Sequence, residues 1–174
     1  MLKFVLILCG FYGVAQDQPV IAWNESYRLS WSDFKDKPDN NDRAVAVTAS
    51  GITFGFSVKQ TDTQVISFTT NVLTHFYPEQ SWYKVKETDT HVLGHEQLHF
   101  DITELYARKF RQRISQLKVS NAINSQLNRL HEIIKRELST MQDAYDTETD
   151  FSRNVEQQAK WKEQIATELA ILSR

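Results

Sequence analysis

Cysteine is almost missing from this chain: its one thiol, Cys9, lies within an apolar N-terminal run. No disulfide framework is available, and stability has to come from packing, helped at most by a metal. Glycine (5) and proline (3) are scarce as well, which argues against a turn-rich or low-complexity chain and for long regular elements. Neither sign of charge dominates: 20 Lys plus Arg stand against 22 Asp plus Glu, and the basic residues are interleaved with acids. The electrostatic footprint of a nucleic-acid binder is therefore lacking, and no nucleic-acid partner is expected. Beyond the N-terminal run no apolar stretch approaches the roughly 20 residues that cross a bilayer. No membrane insertion is expected either.

What is present is enough for one ordinary domain: 174 residues, 41% hydrophobic and 24% charged, a balance that supports a single hydrophobic core. The chain opens with Met1, Leu2 and Lys3, continues through an apolar run from Phe4 to Val14, and places the small residues Gly13 and Ala15 where a signal peptidase reads them. This pattern predicts a signal peptide over 1–15 with cleavage near Ala15, and a secreted or periplasmic protein. Leu8 precedes Cys9 where a lipoprotein signal has a small residue, so no lipid anchor is expected.

Residues 16–174 read as one α+β domain, strands first and helices after. Over 16–86, the segments 20–23, 27–31, 44–49, 52–58 and 65–76 are rich in β-branched and aromatic residues, with alternating polarity in several. Residues 36–42 read as a polar loop, and Ser50-Gly51 and Gln60-Thr61-Asp62 as hairpin turns, giving an N-terminal antiparallel sheet. Over 87–174 the period is helical. A first helix over about 89–118 carries Leu98, Ile102, Leu105, Tyr106 and Leu117. A second, capped by Ser120, repeats apolar residues at Ile123, Leu127, Leu130, Ile134, Leu138, Met141 and Tyr145. A third over 152–172 turns Val155, Trp161, Ile165, Leu169 and Leu172 inward.

The first helix contains His95-Glu96-Gln97-Leu98-His99. Residues four apart lie about 40° from each other around a helix, so the two imidazoles project side by side and can share a Zn²⁺ ion. Glu96, about 100° from His95, reaches the same face as a general base rather than a ligand. The plain alternative is a pair of partly buried, hydrogen-bonded histidines. His91 lies on the same face but about 12 Å from His99 along the axis, and reads as a surface residue near the helix start. His75 and His131 read as structural or surface histidines, and Asp101 and Glu104 point away from the pair. A third ligand has to come from Tyr145-Asp146-Thr147-Glu148-Thr149-Asp150, which an antiparallel second helix returns to the histidines. Asp146 is the first candidate and Glu148 the second, against a solvated acidic loop that caps the third helix.

Trp31-Ser32-Asp33-Phe34, Ser81-Trp82, the run from His95 to Ile102, Ala107-Arg108 and the segment from Tyr145 to Thr149 occur in an order and spacing that resembles a bacterial domain-of-unknown-function family labelled predicted secreted zinc-dependent protease. The resemblance covers nearly all of the chain after the signal. It implies a zincin-like domain and a metallopeptidase of the H-E-x-x-H type acting on a peptide or protein substrate. In the family pattern the tyrosine-aspartate segment runs on to a histidine and a glycine, where this chain has Phe151 and Ser152. If that histidine is a ligand, Asp146 or Glu148 must replace it, or the domain is a catalytically degenerate exported binding or envelope-associated module. The tryptophan segments read as packing motifs. For the hydrolase, the expectation is a zinc-activated water with Glu96 as general base, His95, His99 and Asp146 as ligands, and Tyr145 or His131 as transition-state donor.

Overall fold

The structure, a computed structural model, describes residues 19–172 and the backbone strand Lys3–Val5. The cleavage expected near Ala15 lies outside the described residues. Strands β1 (Lys3–Val5), β2 (Ile21–Ala22), β3 (Ala46–Val47), β4 (Ser50–Gln60), β5 (Val65–Phe76) and β6 (Trp82–Tyr83) precede helices α1 (Thr90–Ser115), α2 (Ile123–Glu148) and α3 (Val155–Ile171). One antiparallel sheet has the order β1-β4-β5-β2, and β3 and β6 form a separate ribbon. The fold is α+β, an antiparallel sheet followed by three helices.

The hairpin of β4 and β5 carries the sheet. Ile52, Phe54, Phe56 and Val58 alternate along β4 and face the helices together with Phe68, Val72 and Thr74 of β5. The opposite face is polar: Thr53 Oγ1 meets His75 Nδ1 at 2.9 Å, and Ser57 meets Thr69 at 2.7 Å. A sheet covered on one side only has this alternation. Ser50-Gly51, expected as a turn, instead begins β4, because Gly51 pairs with His75. Its missing Cβ makes room for the ring of Tyr77, 3.3 Å from where that atom would stand.

Helix α1 lies between the sheet and the other two helices. Its buried residues therefore run round the helix, from Val92 and Leu98 to Phe110 and Ile114. Asp89 caps it, its carboxylate accepting from the backbone N–H groups of His91 and Val92. Two acids on its far side are occupied. Asp101 accepts from Trp23 Nε1 at 2.8 Å and Gln97 Nε2 at 3.0 Å, while Glu104 accepts from Thr74 at 2.7 Å and Arg108 Nε at 2.9 Å.

Several expected boundaries move, each for a local reason. Residues 27–31 form no strand: the Asp33 carboxylate accepts from Ser30 N–H and Tyr27 Oη and winds Trp31–Asp33 into a 3-10 turn. Of 44–49 only Ala46–Val47 pairs. Ser120 does not cap α2, which starts at Ile123. Neighbouring Asn121 instead ties the helix entry to the hairpin, through Val65 N–H and the Thr63 carbonyl. The third helix begins at Val155, not 152, with Asn154 as its cap, and Val155 is exposed rather than inward. Trp31 stacks on Tyr83 and Trp82 is buried, so both tryptophan segments pack against neighbours. No helix among the described residues is long and apolar enough to cross a membrane.

Phe110, fully buried, packs against Phe54 and His131 at ring distances of 4.8 and 5.7 Å, and those two rings also touch each other at 5.1 Å. Phe110→Ala is expected to cost about 3–5 kcal/mol, read in urea as a lower midpoint with an unchanged slope. A loss under about 1 kcal/mol would show that the sheet and α1 are not packed through this ring.

Candidate metal centre

Helices α1 and α2 run side by side, and their seam brings together the residues that the sequence singles out. His95 Nε2 and His99 Nε2 lie 3.1 Å apart, and each points at the same oxygen, Asp146 Oδ1, at 3.0 and 2.9 Å. These three form the one group of metal-ligating side chains found among the described residues that could hold an ion. The segment expected as either a ligand-bearing stretch or a solvated loop is the last turn of α2, and it delivers Asp146 and not Glu148. Glu148 turns away to accept from Trp161 Nε1 at 2.8 Å and Gln157 Nε2 at 3.0 Å.

Hydrogen bonding behind the rings sets their roles. Gln142, one turn before Asp146, accepts from His99 Nδ1 through Oε1, while its amide donates to the His99 carbonyl at 3.0 Å and to Thr103 Oγ1 at 3.2 Å. With the ring proton held on Nδ1, His99 offers a bare Nε2 to the centre, the tautomer a metal ligand needs. In the sequence, Gln142 is marked only by its spacing of four from Asp146, which places both on one helical face; nothing there names His99 as its partner. His95 is held by packing: its ring stacks on Tyr145 at 4.5 Å, and its Nδ1 is buried without a protein partner. Tyr145 is itself wedged against Trp161 at 5.3 Å.

The charges at the centre support one another. Burial alone would lower the His99 pKa, but the bond to Asp146 and the nearby Glu96 carboxylate outweigh it and raise the value. Burial would likewise raise Asp146, yet the two imidazoles hold it well below the usual carboxylate range. Glu96 is 4% exposed, and its Oε2 has no hydrogen-bond partner. Leaving a buried acceptor unmet costs about 1–3 kcal/mol. Of the two buried acids on α1, Glu96 and Glu104, only Glu96 keeps an oxygen without a partner.

All four residues line a cleft of about 1140 Å³. Its walls are the segment from Asp42 to Thr48, the start of β4 at Ser50–Ile52, the α2 face from His131 to Asp146, and Phe151–Arg153. Of the two expected donors, Tyr145 is fully buried and gives its hydroxyl to the His95 carbonyl at 3.4 Å, so it does not serve the cleft. His131 does line the cleft, against Phe110, and burial followed by the Lys135 charge lowers its pKa. His91 is no simple surface residue: its Nε2 donates to the Ser152 carbonyl at 2.7 Å. His75 stays on the polar face of the sheet.

Two measurements test this account. Gln142→Leu should weaken binding of added zinc by about 10–100-fold, followed by competition with a chromophoric chelator, whereas Gln142→Glu should retain it. Second, the raised His99 contributes stability in full below its usual 6.5, lost as pH rises through the folded value. The depressed Asp146 contributes above its usual 3.8, lost only as pH falls through its folded value. Metal-free protein in chelator should therefore draw most from this pair between those two values. Calorimetry should show its Tm falling above the window more steeply than that of Asp146→Asn; parallel profiles would contradict the assignment.

Comparison with known proteins adds a family and nothing closer. No curated protein and no solved structure matches the chain. The family model described as bacterial protein of unknown function, DUF922, matches residues 26–153, a span that includes the histidine pair, Gln142, Asp146 and Phe151. The chain carrying this His-His-Asp centre thus belongs to the DUF922 family of bacterial proteins.

Proposed function

We propose that this protein is an exported zinc metallopeptidase. The observation that carries the reading is Glu96: a buried carboxylate with an unspent oxygen, next to two imidazole nitrogens and a carboxylate oxygen that converge on one point. The donor set suits zinc, which takes imidazole and carboxylate ligands, and the 2.9–3.1 Å separations are near the roughly 3.3 Å between ligands of a tetrahedral zinc centre. Two imidazole nitrogens and a carboxylate oxygen at such distances need a proton or a cation among them, and a divalent cation meets all three.

His95, His99 and Asp146 would hold the ion, with Gln142 and Tyr145 keeping the rings in place. Bound there, zinc would supply Lewis acidity to a substrate carbonyl and to water. Glu96 accepts the proton of the attacking water and passes it to the leaving amine. Strand β4 lends itself to aligning an extended peptide. Beyond β5 its only partner among the described residues is β1, and that pairing is confined to Val58–Gln60. Ser50–Ile52, at the other end of the strand, lines the cleft. A peptide added along this edge gains backbone hydrogen bonds and passes the centre in an extended form.

A second reading, a peptide-binding domain without turnover, is favoured by one feature. The hydroxyl of Tyr145 is committed to the protein, and Phe151 offers no proton. His131 is then the remaining donor among the expected ones. The readings separate cleanly. In the first, protein purified without chelator carries one zinc per chain, His95→Ala removes it, and Glu96→Gln keeps it while hydrolysis of a peptide library falls by about 10²–10⁴-fold. Unchanged hydrolysis in Glu96→Gln would refute the mechanism, and stoichiometric zinc with no hydrolysis by the unaltered chain would favour the second reading.

A further inference from the structure

Between α2 and α3 the chain passes through Asp150, Phe151 and Ser152 with φ of 48°, 51° and 72°. None is glycine, and side chains disfavour this left-handed conformation at each position, so the surrounding structure must impose it. The restraints are visible. Phe151 N–H donates to the Asp146 carbonyl at 2.9 Å, and Asn154 N–H to the Thr149 carbonyl at 2.8 Å. His91, from α1, donates to the Ser152 carbonyl at 2.7 Å, and Arg153 clasps Asp150 at 2.7 Å. Thr149, fully buried, anchors the start of the turn.

The product of these restraints is an aromatic side chain held out in the open. Phe151 is 59% exposed and lines the cleft, one turn beyond the metal-ligating carboxylate. The guanidinium of Arg153 stands 5.8 Å from its ring. Val92 and Leu138 line the same cleft. A strained turn that fixes an exposed apolar ring beside a reactive centre has the makings of a recognition surface: covering the ring removes apolar area from water, and little ordering entropy is lost because the backbone is already set.

We propose that the cleft takes extended peptides with a large aliphatic or aromatic side chain packed against Phe151, and that Phe151 sets this preference. The inference rests on reading the cleft as a peptide site, though not on turnover.

The test uses zinc-loaded protein carrying Glu96→Gln and amide NMR titration with two blocked peptides, acetyl-Gly-Gly-Leu-Gly-Gly-amide and the same peptide with Ala in place of Leu. The Leu peptide should bind about tenfold tighter. Adding Phe151→Ala should bring the two affinities together with zinc content unchanged. Phe151→Gly, which removes the ring and relieves the left-handed backbone, should do the same and guards against misfolding of the first variant. Equal affinities before the change, a preference that survives both changes, or no binding of either peptide would each overturn the proposal. Hydrolysis of the Leu peptide by the chain with Glu96 intact is followed separately. Selective binding without cleavage defeats the peptidase and leaves this inference standing, whereas cleavage without selectivity defeats only the inference.

Discussion

Two imidazole nitrogens and a carboxylate oxygen held within 3.1 Å of one another at the seam of α1 and α2 are the constraint around which the rest of this protein is arranged. Such atoms gather this closely only with a proton or a cation among them, and the seam has to be rigid enough to keep them there. The rigidity comes from outside the centre. Asp89 fixes the start of α1, the sheet and two helices enclose that helix, Gln142 locks the His99 ring, and Trp161 backs the Tyr145 ring on which His95 stacks. Preorganisation of this kind depends on the shell behind the candidate ligands as much as on those residues themselves.

Helix α1 also sorts its acids by what they meet. Glu104 is buried with both oxygens taken up, by Thr74 and Arg108, and half-buried Asp101 accepts from Trp23 and Gln97 through one oxygen, so that the two tie the helix to β5 and to the N-terminal segment. Glu96, no less buried, faces the cleft with an oxygen unused. Three carboxylates on one helix thus have different chemical prospects although their side chains hardly differ. The difference is one of hydrogen-bond partners, and those partners come from other elements.

Much of this was legible in the sequence wherever a periodic pattern met a matching environment. The alternation at Ile52, Phe54, Phe56 and Val58 and the three- and four-residue spacing through Ile123, Leu127, Ile134 and Tyr145 announce a strand and a helix, each buried on the side they indicate. Local hydrogen bonding defeated the same reasoning at 27–31, where Asp33 captures the backbone of Ser30. Close packing defeated it at Gly51, whose missing side chain serves Tyr77 rather than a turn. Gln142 and the clasp of His91 on Ser152 were out of reach because each joins residues far apart in the chain, and neither residue type announces its partner.

By itself the sequence determined that two imidazoles share one face of a helix with a carboxylate at its edge, because helical periodicity is a local property of the backbone. It also narrowed the candidate for a third ligand to a short acidic segment. The choice between Asp146 and Glu148 was made only by the tertiary structure: the rotation of α2 against α1 and α3 sends one side chain to the histidines and the other to Trp161. That rotation follows from how whole helices fit together, and no single segment encodes it.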